Sequence, residues 1–437
     1  MNRKRITIPA LFLTLFVMAG FLLHLIVYST SGMVFCALIM ICVVGLGVTK
    51  PIIRRAIPSY YLLIWLAVLT VLWVNCIARY RSNDVLIDDV VITCGFLIIL
   101  LFSAASDNYC SVLSVMLFLA LFFATGVYLQ RFLPGIYRIV ISFFPSRLQD
   151  SMVSGLTNVI GVKGFTINSG FTANYVIIGI FVVASRISDR IPSRKTIIRI
   201  AYLGLALLLT GKRGPILALM LSAVLVGIIP VRGTERMKKI WRFFLVILVL
   251  IVAFFSFGSF LEQVPYIGRY IESINDFING EDISSGRTRL YAWAIQLFIR
   301  SPLLGIGWGK YRTTVAGNAT FIKSLETHNV YLQLLCETGI IGFLFFVTMF
   351  LMSWNMTKNS YCACLKEYNE ELKKWKPLLF FSFSYQTYFL LLCFTENPLY
   401  DQFHQIIYAF CCSIMIAYRY ISSLNGNSFS IKKRGFV

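Results

Sequence analysis

Apolar runs of bilayer length recur along almost the whole chain, and they restrict it to one fold class. Hydrophobic residues make up 58% of the 437 residues, charged residues make up 14%, and the mean hydropathy is +0.77. Soluble domains average about a quarter charged residues, whereas about 20 apolar residues suffice to cross the ~30 Å hydrocarbon core as a helix. The sequence therefore predicts an all-α polytopic membrane protein with about twelve transmembrane helices. The predicted spans are residues 6–28, 33–49, 60–77, 88–106, 110–130, 173–185, 196–210, 214–230, 240–259, 329–354, 377–394 and 403–421.

The apolar runs and the polar segments between them divide the chain into four predicted regions. Residues 1–130 are expected to form N-terminal transmembrane helices, and residues 131–259 central ones with an outer loop at 131–172. A long extracytoplasmic loop with interfacial helices is expected over 260–328. Residues 329–437 are expected to form C-terminal transmembrane helices and a cytoplasmic tail.

Positive charge sets the predicted orientation. The net charge is +21, from 40 Lys and Arg against 19 Asp and Glu. Placing Arg3, Lys4 and Arg5 in the cytoplasm and alternating the spans puts most basic residues in inside loops, as the positive-inside rule requires. Both termini are then cytoplasmic, and the charge is a topology signal, so no nucleic-acid partner is expected. The 11 cysteines are scattered through apolar runs and predict neither a disulfide framework nor a metal site.

Polar sequence of unusual composition is concentrated in four predicted outward segments: 131–172, 210–215, 260–328 and 395–402. In the second of these, Lys212 and Arg213 occupy a short hairpin between two spans. One interpretation is an anion-binding corner in which Arg213 binds a phosphate with two hydrogen bonds. The other is a solvated hairpin whose long side chains reach the interface.

The long outer loop contains a predicted amphipathic helix that starts near Arg287 and ends at Ser301-Pro302. Trp293 is expected at headgroup depth, and Arg287 and Arg289 lie at the positive N-terminal end, which suits a diphosphate. The alternative is that these arginines only meet lipid phosphates. The glycines after this helix are predicted to let the backbone fold back tightly over the membrane surface. The apolar stripe consists of Leu290, Trp293, Ala294 and Leu297, and the glycines are Gly305, Gly307 and Gly309.

His328 is predicted to open the tenth span, with Thr327 as the N-cap. It can accept a proton or hydrogen-bond a sugar hydroxyl, or it can be a hydrogen-bonded interface anchor. Gln333 and Glu337, four residues apart, place polar groups on one helix face, which is therefore expected to face protein or water. Gly339 and Gly342, further along, are expected to allow close helix packing.

Several motifs share an order and a predicted outward face. The pattern His328-Asn329, Gly339 and Gly342 resembles the signature of the O-antigen ligase and O-antigen polymerase superfamily. The segment from Gly286-Arg287 through Trp293 to Gly309 is similar to that family's lead-in to the same histidine. Arg213 in Gly-Lys-Arg-Gly resembles its outer-turn arginine, and residues 170–174 resemble an outer-loop element. Together the motifs cover residues 165–345.

The resemblance implies a glycosyltransferase of the GT-C-like type in a bacterial inner membrane, without nucleotide sugar, metal or other cofactor. Its donor would be a polyprenyl diphosphate-linked oligosaccharide on the extracytoplasmic side. The implied catalytic residues are Arg213 and Arg287, which would hold the diphosphate, and His328, which would orient or deprotonate the acceptor hydroxyl. Further substrate contacts are expected from Lys212, Arg289, Asn329 and Trp293. Expected partners are this donor, membrane lipids, a chain-length regulator and a flippase.

Three functions remain open at this level. A polymerase and a ligase differ in the acceptor, which is another lipid-linked repeat unit or a lipid A core sugar; we favour the polymerase. A lipid-linked oligosaccharide flippase is the non-enzymatic alternative. Transporters tend to show paired repeats and ionisable groups near the bilayer midplane, whereas here only Glu337 approaches mid-membrane and no two-half similarity is evident.

Overall fold

The computed structural model describes residues 57–78, 83–101, 106–156, 161–187, 192–231, 233–241, 243, 245, 287–316 and 326–424. These residues are largely helical, and none of them lies in a strand. The predictions for 6–28 and 33–49, for most of 240–286 and for the tail from 425 lie outside them. In chain order the helices are α1 (Ser59–Ala78), α2 (Asn83–Leu101), α3 (Ser106–Phe132), α4 (Pro134–Ile141), α5 (Ser146–Ser154), α6 (Ser169–Ser185), α7 (Arg194–Leu209), α8 (Arg213–Ile228), α9 (Arg287–Arg300), α10 (Tyr311–Ala316), α11 (Val330–Cys364), α12 (Glu370–Lys373), α13 (Lys376–Leu392) and α14 (Gln402–Leu424), with a 3-10 helix at Pro398–Tyr400.

Four of the described helices are long and apolar enough to cross a membrane. They are Ser59–Ile77 in α1, Asp107–Phe132 in α3, and the whole of α11 and α14; α6 and α8 are apolar but shorter. The protein is therefore a helical membrane protein, while twelve spans and a GT-C fold remain predictions. Helix α11 continues beyond residue 354, the predicted end of the tenth span, to Cys364, because no Gly or Pro interrupts the sequence there.

Helices α13 and α14 form the centre of the described bundle. Helix α13 packs against α6, α8, α11 and α14, and α14 packs against α2 and α11 as well. Both are buried along most of their length. The turn that joins them, residues 393–401, is therefore held at the middle of one end of the bundle.

A break in α11 admits the loop that follows α9. Gly339 has φ 64° and ψ −173°, which interrupts the helix. A Cβ on Gly339 would lie 2.2 Å from the carbonyl oxygen of Leu303. The expectation of packing between whole helices is therefore wrong for this glycine, since a loop backbone fills the gap. Backbone hydrogen bonds join this loop to α11 at the break: they run from Ile306 N to Cys336 O, from Gly307 N to Glu337 O and from Ile340 N to Pro302 O.

The carboxylate of Glu337 fixes this loop from inside the bundle. It accepts hydrogen bonds from the backbone nitrogens of Gly309 and Tyr311, each at 3.0 Å, and from the hydroxyl of Tyr400 at 2.8 Å. The predicted tight folding at the glycines is confirmed by positive φ angles of 67°, 115° and 73° at Gly305, Gly307 and Gly309. The loop backbone folds into the break of α11, and its position relative to the membrane surface stays a prediction.

Candidate active site

The turn between α13 and α14 collects side chains from distant parts of the chain. Arg287, the first residue of α9, donates from Nη1 to the carbonyl oxygen of Thr395 at 2.6 Å. Its Nη2 lies 3.7 Å from Oε1 of Glu396. The other carboxylate oxygen, Oε2, lies 3.3 Å from Nδ1 of His328. Glu396 therefore joins the predicted arginine of the long loop to the predicted histidine.

The start of α8 borders the same turn. A Cβ added to Gly214 would lie 3.0 Å from Oγ1 of Thr395 and 3.7 Å from Oε1 of Glu396. Arg213 immediately precedes this glycine and opens α8, while Lys212 occupies the N-cap. The two predicted cations of the hairpin thus stand at a helix N-terminus beside Glu396, and both cations and unpaired backbone N–H groups favour anions there.

Glu396 is half-buried among positive groups. Burial by itself would raise the pKa of its carboxyl. The hydrogen bond with His328 and the charges of His328, Arg287 and Lys212 outweigh burial, so the pKa of Glu396 lies below its ordinary value. Glu396 is therefore an anion under physiological conditions, and it offsets the positive charge of this site.

His328 does not lie in the first turn of α11, contrary to the sequence prediction. The helix begins at Val330, and Asn329 is its N-cap, with its side-chain oxygen accepting from the backbone nitrogen of Leu332 at 3.1 Å. His328 has φ 54°, the only positive φ of a non-glycine among the described residues. This left-handed backbone turns its imidazole toward the 393–401 turn and out of the helix.

The remaining predicted substrate contacts lie further from the turn or have structural roles. Arg289 is exposed. Trp293 packs on the small apolar cluster between α9, α10 and α11, with the guanidinium of Arg300 5.7 Å from its ring centre. Asn329 uses its side-chain oxygen for the helix cap. The structure brings together Arg287, His328 and Lys212, and it does not place Arg289 or Trp293 with them.

The element at residues 170–174 approaches the site only at its first residue. A Cβ on Gly170 would lie 3.9 Å from Nζ of Lys212. Asn174 points into the bundle, where its side-chain oxygen accepts a 2.6 Å hydrogen bond from the hydroxyl of Tyr388. This asparagine therefore joins α6 to α13 within the core.

Sequence reasoning marked residues 395–402 as an outward segment but did not single out Glu396. The available signal was a carboxylate in a short Thr-Glu-Asn-Pro turn between two apolar runs. A charge confined to so short an outer turn is costly unless paired, which makes it a candidate site residue. What the sequence could not give is the pairing, because Arg287 and His328 lie 109 and 68 residues earlier in the chain.

Two further carboxyl groups border the turn. Glu326 lies 3.5 Å from Nε of Arg312. Burial raises the pKa of Glu326, and the charge of Arg312 offsets part of that effect. Asp88 on α2 accepts a 2.6 Å hydrogen bond from Gln402. The turn is therefore bordered by carboxyl groups on its α2 and α10 side, where Arg312 of α10 adds a further cation.

The described part of this helical membrane protein thus places clustered cations and a histidine–carboxylate pair at one end of its bundle, an arrangement suited to binding an anionic group. The comparison with protein families agrees, because residues 198–347 match the family model described as O-antigen ligase. This match supports the resemblance to the O-antigen ligase and polymerase superfamily, a family of enzymes, over the matched segment. Lys212, Arg213, Arg287 and His328 fall within the matched range, and Glu396 lies beyond it. No curated protein matches the chain.

Proposed function

We propose that this protein transfers glycans from polyprenyl diphosphate-linked donors on the extracytoplasmic face of the membrane, and that it polymerises repeat units. The observation that carries the proposal is the convergence on Glu396. Arg287 and His328 contact this carboxylate, and the positive charge of Lys212 helps to lower its pKa. Arg213 is the first residue of the adjoining helix α8. These groups come from three separate segments, so their meeting at one turn is a property of the fold.

The cations are suited to the leaving group of this reaction. A glycan on a lipid diphosphate carries negative charge that increases as the glycosidic bond breaks. Arg213, Arg287 and Lys212 would bind the diphosphate, and preorganised cations at a developing charge are usually the largest catalytic contribution. In the free protein Glu396 neutralises part of this charge, so the arriving diphosphate would compete with it for Arg287.

The histidine–carboxylate pair is suited to activating the acceptor. If Nδ1–H of His328 donates to Oε2 of Glu396, Nε2 carries the free lone pair and can accept a proton. A base oriented by a third group is the usual arrangement for activating a hydroxyl. General-base catalysis contributes roughly 10²–10⁴-fold to the rate.

In the proposed reaction, an acceptor sugar hydroxyl attacks the anomeric carbon of the donor glycan. A new glycosidic C–O bond forms as the C–O bond to the diphosphate breaks, and polyprenyl diphosphate leaves with the electron pair. The acceptor proton passes to Nε2 of His328. Direct displacement of this kind inverts the anomeric centre.

The test is purified protein in detergent or nanodiscs with a defined polyprenyl diphosphate oligosaccharide, scored for products longer than the input. Elongated lipid-linked glycan is the expected result, and Arg213→Ala, Arg287→Ala and His328→Ala should each strongly reduce its rate of formation. No elongated product from folded wild-type protein with donor and acceptor present would refute the polymerase.

The ligase is the second candidate, since the matched family is described by that name. The same assay with a lipid A core acceptor distinguishes the two. Transfer to the core without elongation of lipid-linked glycan would assign the protein as a ligase.

The flippase alternative is tested in cells that carry the same three alanine variants. Accumulation of single repeats on the outer face of the membrane would show that transport is intact and transfer has failed. Retention of the repeats in the cytoplasm would favour the transporter.

A further inference from the structure

Gln333 lies behind the His328–Glu396 pair and contacts the residue next to each member. Its side-chain oxygen accepts a 2.6 Å hydrogen bond from the amide of Asn397. The same oxygen accepts from the backbone nitrogen of Thr327 at 3.3 Å, and the hydroxyl oxygen of Thr327 lies 3.2 Å from it. Thr327 precedes His328 and Asn397 follows Glu396, so one carboxamide oxygen ties the two flanks of the pair together.

The contacts fix which way this amide points. The backbone nitrogen of Thr327 can only donate, so the group facing it must be the oxygen of Gln333. The nitrogen of Gln333 then points to Oε1 of Glu337, at 3.4 Å. Glu337 in turn holds the loop after α9 and Tyr400 of the turn. Gln333, Thr327 and Glu337 are fully buried, and Asn397 is 8% exposed, so water does not substitute for these contacts.

The same contacts bear on the unusual backbone of His328. A non-glycine residue in the left-handed region is disfavoured, and it persists only where the surroundings hold it in place. Thr327 holds it from one side, because its hydroxyl donates to the carbonyl oxygen of Asn329 at 2.7 Å and receives the backbone N–H of Asn329 at 3.1 Å. Gln333 anchors Thr327 on its other side.

We infer that Gln333 is a positioning residue, which sets the orientation of the His328 imidazole relative to Glu396 by clamping Thr327 and Asn397. This inference rests on the proposed transfer reaction for its kinetic consequence and on geometry alone for its structural one. Gln333 lies behind the pair and is fully buried, so it acts on the acceptor hydroxyl only through His328. Loss of the clamp should slow the chemical step and leave the binding of the diphosphate unchanged, because the cations stand on α8 and α9.

The experiment compares Gln333→Met with wild type, using a polyprenyl diphosphate oligosaccharide as substrate and sugar-free polyprenyl diphosphate as a binding probe. We expect kcat to fall about 10- to 100-fold, since small misplacements of a catalytic group cost that much. The donor KM and the affinity for the probe should stay within about twofold of wild type, as expected when an interaction acts only on the chemical step. A loss confined to KM, or a kcat equal to that of wild type, would overturn the inference.

Gln386→Met is the matched control. Gln386 is equally buried, and its amide donates to the hydroxyls of Thr357 and Ser382 on the α11 and α13 side of the core. The substitution removes a buried carboxamide about two helical turns before the 393–401 turn. It should lower the unfolding temperature as Gln333→Met does and leave kcat unchanged. An equal fall of kcat in both variants would show that lost stability, and not positioning, is the cause.

A second measurement does not depend on activity. Diethyl pyrocarbonate modifies accessible imidazole nitrogens, and mass spectrometry can follow the rate at His328, with the buried His404 as an internal reference. Gln333→Met should change the His328 rate several-fold and Gln386→Met should not. If wild type makes no product yet this change is seen, the proposed function fails and the positioning role stands. An unchanged His328 rate in Gln333→Met would reject the positioning role.

Discussion

At the scale of residues, the arginines of α9 show how position decides the role of a charge. Arg287 reaches the carbonyl of Thr395 and the carboxylate of Glu396, whereas Arg289, two residues later, is exposed. The sequence allowed both to bind a diphosphate. The difference follows from the helix geometry, because residues two apart point in different directions.

We therefore expect Arg287→Ala to lower kcat/KM for the lipid diphosphate donor by about 10- to 100-fold. A charge-assisted hydrogen bond is worth roughly 1.5–3 kcal/mol, and each 1.4 kcal/mol is about tenfold. Arg289→Ala is the control on the same helix and should stay within about threefold of wild type. Elongation assays over a range of donor concentrations measure both; equal losses in the two variants would contradict the assignment.

The second prediction at this scale concerns pH. Because the pKa of Glu396 lies below its ordinary value of 4.5, its ion pairs stabilise the folded protein above that pH. The stabilisation is lost as the pH falls through the lowered pKa. Glu396→Gln should therefore unfold at a lower temperature than wild type at pH 7, and the two unfolding temperatures should converge below about pH 4.5. A difference that is independent of pH would show that the charge of Glu396 contributes nothing.

At the scale of elements, the break in α11 is where the glycine motif of the long loop meets the glycine of the tenth span. Gly305 and Gly339 face each other across the break, and a Cβ on Gly305 would lie 2.3 Å from the carbonyl of Glu337. Sequence patterns located both glycine motifs and the polar face of Gln333 and Glu337. The prediction that this face avoids lipid is confirmed, as both side chains are fully buried.

Gly339→Ala should destabilise the protein strongly. The added Cβ would collide with the backbone of Leu303, and φ of 64° is strained for alanine. In an ordinary helix the change from glycine to alanine stabilises by ~1 kcal/mol. Here the free energy of unfolding should instead fall, and by more than that amount. Gly204→Ala in α7 is the control, because nothing lies within 4 Å of its Cβ position. Thermal unfolding in detergent checks both, and an unfolding temperature of Gly339→Ala at or above that of wild type would contradict the structure of the break.

Helix positions were largely predictable from the sequence. The predicted spans 60–77, 110–130 and 403–421 fall inside α1, α3 and α14. The position of such a helix depends on the length of the local run of apolar residues, which the sequence shows directly. The start of α11 was misplaced, since Thr327 and Asn329 are both good caps and only the left-handed backbone of His328 assigns the role to Asn329.

At the scale of the whole molecule, the orientation in the membrane remains a prediction from charge. It places Phe143, at the end of α4, outside, and Tyr368, between α11 and α12, in the cytoplasm. Their side chains are 85% and 90% exposed. Both positions are therefore accessible to a reagent on the correct side.

Cysteines introduced as Phe143→Cys and Tyr368→Cys should react differently with a membrane-impermeant maleimide. In intact spheroplasts we expect labelling at position 143 and protection at position 368, with labelling at both after permeabilisation. Mass spectrometry of the modified peptides separates these sites from the native cysteines. Labelling of position 368 in intact cells would invert the topology and place the candidate site on the cytoplasmic face.

The sequence by itself determined that this is a helical membrane protein, the resemblance of its 198–347 segment to the O-antigen ligase and polymerase superfamily, and three of the side chains that meet at the candidate site. These properties depend on local composition and on motif spacing, which a single sequence carries. Only the tertiary structure decided that Glu396 joins Arg287 to His328, that Arg289 and Trp293 lie apart, and that Gln333 clamps both flanks of the pair. Contacts of this kind form between side chains that the packing of α8, α9, α11 and α13 brings together, so no local pattern records them.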